Sequence, residues 1–191
     1  MPKIFAVNGS PRHDGNTAAM LKNVLEVCEG AGFETELFQA GKREVRGCTS
    51  CAGCIKSHKG RCVIDDWVTE VYQKMKEADA ILLGSPTYFS DMTPELKCVI
   101  DRCGYISRGE GMSFSRKVGA AVTAVRRAGG NHTLASIQYF FLINDMVVPG
   151  SSYWNMSLSR LPGDYAKDEE GMQTIKRLGE NIVWLVEKTK A

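Results

Sequence analysis

The sequence predicts a doubly wound α/β fold: a five-stranded parallel sheet in a three-layer α/β/α arrangement. Three observations predict it. Short apolar runs alternate with longer stretches of helical periodicity along the whole chain. The inner runs are apolar on both faces, as strands covered by helices on both sides must be. The chain has 191 residues, 43% of them hydrophobic, which suits one domain with a substantial core. Residues 1–191 are therefore read as a single domain.

Lys3–Asn8 (K-I-F-A-V-N) is a short apolar run bounded by turn residues and reads as a buried strand. Leu21, Val24, Leu25 and Cys28 then recur at i, i+3, i+4 and i+7, one face of a helix that Gly30 and Gly32 end. Phe33–Ala40 is a second strand of mixed polarity, suited to an edge. A cysteine-rich insertion occupies residues 41–64. Asp65 and Asp66 precede a second helical stripe, Val68, Val71, Tyr72 and Met75, where acidic residues suit the positive end of the helix dipole. Ala80–Gly84 is a third strand. Pro94 opens a helix carrying Leu96, Val99, Ile100 and Cys103 on one face. Lys117–Val125 is a fourth strand, Thr133 to about Met146 a helix, Val147-Val148 the start of a fifth strand, and Asp168–Lys190 a closing helix. In such sheets ligands bind beyond the carboxyl ends of the strands, at the switch point.

Lysine and arginine number 24 against 22 acidic residues, a net charge of +2, so no general attraction to nucleic acid is expected. No apolar run reaches the roughly 18 residues that a membrane span needs. The first residues turn polar too soon for a signal peptide, and a cytoplasmic location is expected. Seven cysteines then need a reason other than structural disulfides. Cys28, Cys98 and Cys103 lie on apolar helix faces and read as small buried hydrophobes. Cys48, Cys51, Cys54 and Cys62 form a C-x2-C-x2-C-x7-C cluster. Thiols at these intervals converge on one centre if the loop wraps around it. Ligand number and spacing leave three occupants open: a [4Fe–4S] cluster, zinc, or free and redox-active thiols.

After the first strand stands Gly9-Ser10-Pro11-Arg12-His13-Asp14-Gly15-Asn16-Thr17, followed by a helix. Helix-start N–H groups, the Ser10, Asn16 and Thr17 side chains and the Arg12 charge suit an anion. The alternative is a polar loop with Asn16 or Thr17 as the cap. It is neither a Walker A motif nor a G-x-G-x-x-G fingerprint.

This G-S-P-R-x-x-G-N-T stretch resembles the first loop of the flavodoxin-like, NAD(P)H-dependent FMN reductases. Gly84-Ser85-Pro86-Thr87-Tyr88-Phe89-Ser90-Asp91-Met92 resembles the family's second flavin loop. Ala124-Val125-Arg126-Arg127-Ala128-Gly129-Gly130 is similar to the third. The resemblance implies FMN, with its phosphate on Ser10, Arg12, Gly15, Asn16 and Thr17. It implies Pro86, Thr87, Tyr88 and Phe89 against the ring, and Arg126, Gly129 and Gly130 along the pyrimidine edge. In that frame the cysteine motif resembles the iron–sulfur flavoproteins, with its last gap at the long end of their pattern. Cys48, Cys51, Cys54 and Cys62 would then hold a [4Fe–4S] cluster.

The implied activity is an FMN-dependent oxidoreductase passing electrons between a donor, the cluster and FMN. The implied assembly is a homodimer or homotetramer. Lys42, Arg43, Arg46, Lys56, Lys59 and Arg61, against Glu44 alone, would favour the reduced cluster and attract an acidic donor such as a ferredoxin. A solvated basic loop is the plainer reading. Two other functions are carried: an NAD(P)H-dependent FMN, quinone or azo-compound reductase without a metal cluster, and a zinc-stabilised flavodoxin-like carrier. His13, His58 and His132 fit no catalytic pattern. Gly104–Arg116 reads as a long loop that lids the flavin or meets another subunit. Tyr153 and Trp154, beyond the fifth strand, are expected to reach a neighbouring subunit's flavin.

Overall fold

Along the first strand, side chains alternate between two cores. Ile4 and Ala6 join one apolar cluster, Phe5 and Val7 the other. This double burial is what a central parallel strand requires. The structure, a computed structural model, describes residues 1–190. Its strands are β1 (Lys3–Asn8), β2 (Glu34–Gln39), β3 (Ala80–Pro86), β4 (Val118–Val125) and β5 (Met156–Leu158). They form one parallel sheet in the order β2-β1-β3-β4-β5. That is the flavodoxin-like order.

Helices cover both faces. α1 (Asn16–Gly30) and α6 (Glu169–Lys190) pack on the side of Ile4 and Ala6. Leu21, Val24, Leu25 and Cys28 are buried on the predicted face of α1. On the other side lie α3 (Val68–Glu77), α4 (Pro94–Gly109) and α5 (Gly130–Ile143). The cysteine segment forms one short helix, α2 (Gly53–Ser57), which packs on α4.

Three expectations need correction. α4 continues to Gly109, where a loop from Gly104 was expected. Of the glycines in this last stretch, Gly109 serves close packing, while Gly104 has ordinary van der Waals room. A Cβ on Gly109 would stand 3.0 Å from the Cys54 oxygen, and one on Gly104 3.5 Å from the Phe140 ring. The turn beyond is plugged by fully buried Phe114, whose N–H donates to Ser107 Oγ at 3.4 Å, so this segment is not a free lid.

The fifth strand is Met156–Leu158, paired with Thr123–Val125; Val147 makes only an isolated bridge to Val118. Pro149 lacks the N–H that would continue a ladder there. Tyr153 and Trp154 consequently precede the fifth strand. Finally, Cys98 is half-buried, whereas Cys28 and Cys103 are fully buried.

β4 packs tightly under α5. A Cβ on Gly119 would lie 2.5 Å from the Phe141 ring. Gly119→Ala is expected to lower stability by about 1–3 kcal/mol through overpacking. Urea unfolding checks this; an unmoved midpoint would show that the helix yields freely.

Candidate functional site

β1, β3 and β4 all end at one edge of the sheet, and the loops that leave them enclose a cavity of about 250 Å³. The first loop is fixed from below. Asn8 and Gln39 are register partners on β1 and β2. Asn8 Nδ2 donates to Gln39 Oε1 (2.7 Å), and the Ser10 N–H donates to Asn8 Oδ1 (3.0 Å). Gln39 Nε2 donates in turn to the Ser10 and Gly41 carbonyls (2.6 and 3.0 Å). Gly41 must be glycine here, because a Cβ would lie 2.1 Å from the Ser10 oxygen. α1 starts at the cavity wall with no side-chain cap on Gly15. Its first N–H groups therefore lack intrahelical partners and suit an anion.

The cavity brings together Ser10, Arg12, Gly15, Asn16, Thr17, Pro86, Thr87, Tyr88 and Arg126. Phe89, Gly129 and Gly130 stand outside its lining. The Asn16 amide is already engaged, donating to the Leu161 carbonyl (2.9 Å) and accepting from the Tyr165 N–H (3.2 Å). It braces the loop opposite with one of its two N–H donors, and Gly15, not Asn16, stands at the N-cap of α1. Pro11, Ala124, Ser159 and Arg160 also line the cavity. Ser159 and Arg160 follow the true β5, so placing that strand too early hid them.

Among the described residues no carboxylate lines the cavity. Among the described residues Arg12, Arg126 and Arg160 form no ion pair. The site is thus electropositive, suited to an anionic group.

The second loop is a tight hairpin. Tyr88 and Asp91 exchange backbone hydrogen bonds at 2.8 and 3.0 Å. Phe89 (φ 48°) and Ser90 (φ 66°) both adopt left-handed backbone. That conformation costs non-glycine residues roughly 1–2 kcal/mol each. Here it holds Phe89 fully exposed and Tyr88 half-exposed at the cavity mouth. Gly129 (φ 89°) starts α5 against the hairpin; a Cβ there would lie 2.6 Å from Ser90 Oγ. Beneath, Thr133 Oγ1 donates to Thr87 Oγ1 (3.1 Å), and Thr123 Oγ1 stands 3.2 Å from Thr87 Oγ1 and donates to the Ser85 carbonyl (2.8 Å).

The four clustered cysteines line a second concavity, with Arg102 and Tyr105 of α4 in its wall. Ser50 (φ 54°) and Ala52 (φ 56°) take left-handed backbone on either side of Cys51. Such alternation turns backbone N–H groups inward, as in many phosphate and iron–sulfur sites. The Ser50 N–H donates to Cys48 Sγ at 3.4 Å. The Gly53 backbone N–H, helped by Thr49, holds the Cys51 thiol below its ordinary pKa. Burial raises Cys54, and it pushes buried Cys28 up to about 12. Among the described residues no three cysteine, histidine or carboxylate side chains converge closely enough to hold a single ion.

Residues 2–160 match the NADPH-dependent FMN reductase family. An iron–sulfur flavoprotein of Methanocaldococcus jannaschii is 35% identical over 98% of this chain and 99% of its own. One from Methanosarcina thermophila is 32% identical over 97% of this chain and 95% of its own. Among solved structures, the flavoenzyme NAD(P)H:(acceptor) oxidoreductase FerB of Paracoccus denitrificans superposes with a TM-score of 0.71 at 17% identity, covering 99% of both chains. A flavodoxin, WrbA-like protein of Agrobacterium tumefaciens gives 0.66 at 16% identity, covering 98% of both chains.

Thiol reactivity in metal-free protein tests the electrostatics of the second concavity. A lowered pKa leaves more thiolate at a given pH, so Cys51 should alkylate fastest, with a rate that rises with pH earlier than for an ordinary thiol. Cys28 and Cys103 should stay unmodified until the protein unfolds. Mass-spectrometric mapping of iodoacetamide labelling checks this; equal rates at Cys51 and Cys54 would contradict it.

Proposed function

This chain belongs to the NADPH-dependent FMN reductase family and, within it, to the iron–sulfur flavoproteins, and we propose that this flavin oxidoreductase moves electrons between a [4Fe–4S] cluster on Cys48, Cys51, Cys54 and Cys62 and FMN in the cavity at the strand ends. The observation that carries the reading is that one small domain holds both a concavity lined by four cysteines and an electropositive cavity at the carboxyl ends of its strands.

When bound, the cluster supplies one-electron and FMN one- or two-electron chemistry. The chain supplies position and charge. The start of α1, with Ser10, Thr17 and Arg12, receives the phosphate. Arg160 adds charge from the loop after β5. Tyr88 offers an aromatic face at the mouth, with Phe89 above it. Arg126, with the Gly129–Gly130 backbone, stabilises negative charge on the pyrimidine side.

The donor set suits the cluster. In a cubane each sulfur bonds a different iron, so the ligands stand wider apart than around one zinc ion. The four thiols that line the one concavity supply the four sulfur donors such a cluster takes.

Lys42, Arg46, Lys56, Lys59 and Arg61 are exposed around the cysteine segment and would dock an acidic donor such as a ferredoxin; NAD(P)H is the other donor the family suggests. Arg43 is drawn aside, its guanidinium 4.5 Å from the Phe38 ring centre. A groove of about 750 Å³ between α5 and residues 149–155 exposes Tyr153 and Trp154, and supports contact with a second copy in a homodimer or homotetramer.

Protein purified without oxygen tests the reading. Flavin absorption bands, a broad brown shoulder bleached by dithionite and about four irons per chain are expected. Negligible iron with one zinc per chain would overturn the cluster in favour of a zinc-stabilised carrier. Free thiols after anaerobic iron and sulfide reconstitution would leave a metal-free FMN, quinone or azo reductase. Cys51→Ala should abolish the shoulder while FMN still binds; equal loss of both would show the two sites to be one. Arg12→Ala should weaken FMN binding by about 1–3 kcal/mol, the scale of a charge-assisted hydrogen bond, read by fluorescence titration. Unchanged affinity would remove Arg12 from the site.

A further inference from the structure

The apolar stripe of α4 is broken by one charge. Arg102 lies three residues after Val99 and four before Ile106, and its side chain is 0% exposed. A buried guanidinium is tolerated only if its donors find partners. Four of the five do. Nη1 donates to Asp66 Oδ2 (2.6 Å) and the Arg46 carbonyl (3.2 Å); Nη2 donates to Asp66 Oδ1 (2.6 Å) and the Ile64 carbonyl (3.1 Å). Arg46 stands two residues before Cys48, and Ile64 two residues after Cys62. One side chain thus clamps both flanks of the cysteine segment.

The fifth donor, Nε–H, is buried without a hydrogen-bond partner among the described residues. Arg102 forms part of the wall of the concavity that the four cysteines line. Cys62 lines the same concavity, two residues before the Ile64 carbonyl that Nη2 holds.

We propose that Arg102 is a positioning residue for the cluster, which holds the ends of the cysteine segment on α4 and donates its Nε–H to the sulfur of Cys62. The inference rests on the cluster reading above. Reduction adds negative charge that spreads onto the ligand sulfurs, so a donor to one of them favours the reduced state and raises the potential. Asp66 cancels the formal charge of Arg102. The effect therefore comes through the bond to sulfur and not through net charge.

The test compares the unsubstituted protein with the charge-neutral pair Arg102→Met and Asp66→Asn combined. The asparagine side chain retains an oxygen for the Val68 N–H, which Asp66 Oδ1 accepts at 3.1 Å. Both proteins are reconstituted anaerobically and their cluster potentials titrated. The expected result is a lower midpoint potential in the double variant. Pulsed EPR of the reduced, unsubstituted protein grown with arginine carrying ¹⁵N at Nε should show a nitrogen coupling, and this readout needs no variant. An unmoved potential, or no coupling, overturns the assignment while leaving the cluster in place. No cluster in the unsubstituted protein overturns the cluster reading and this inference with it.

Discussion

The bidentate pair of Arg102 and Asp66 fixes the cysteine segment to the body of the fold. Between β2 and α3 the chain has little regular structure, and its thiols have no sheet or long helix to hold them. The buried guanidinium joins residues on both sides of the segment to the middle of α4. Breaking such a pair leaves an uncompensated buried charge and costs roughly 3–5 kcal/mol. Smaller contacts complete the seat. His58 Nδ1–H donates to the Gly109 carbonyl at 2.6 Å, and Gln73 Nε2 to the Gly60 carbonyl at 2.7 Å. Glu110 pairs with Lys76 (2.9 Å) and accepts from Tyr72, whose hydroxyl also meets Ser113 (2.8 Å). These bonds tie the short α2 region to α3 and α4.

The two sites are built by different physics. The cavity at the strand ends is a product of the parallel sheet. Every strand finishes at the same side, and the loops there combine a helix start with three arginines that no carboxylate neutralises. The cysteine concavity owes little to the sheet. It depends on left-handed turns at Ser50 and Ala52, on N–H groups aimed at sulfur, and on glycine at 109 where the segment touches α4. A phosphate needs donors and positive charge, while a metal cluster needs thiolates and a protected wall. Building these from different elements keeps the two chemistries separate within one small domain.

Much of this was legible in the sequence. β1, β3 and β4 announce themselves as apolar runs because both their faces are buried, and the stripes of α1 and α3 follow from helical periodicity. The C-x2-C-x2-C-x7-C spacing marked all four lining thiols. Other features leave weaker traces. β5 pairs through three residues only, too short for a periodic signal, and its displacement concealed Ser159 and Arg160. Gly104 and Gly109 resemble loop punctuation but lie inside a helix, Gly109 where it packs on Cys54. Asn16 lines the cavity, and its side chain also braces residues 161–165, a tertiary contact that no local sequence signal marks. Arg102 did leave a trace, as an arginine set between Val99 and Ile106 on an apolar helix face. Its partner Asp66 lies 36 residues away in sequence, and only the fold brings them together.

The central claim is that four cysteines, held on α4 by a buried arginine, bind an iron–sulfur cluster in the same domain as a flavin cavity. Anomalous diffraction at the iron edge, from crystals grown without oxygen, tests it most directly. The account predicts iron density within the concavity, bonded by Cys48, Cys51, Cys54 and Cys62, with Arg102 Nε within hydrogen-bonding distance of Cys62 Sγ. A single zinc peak there, or cysteines joined to one another in disulfides, would contradict it.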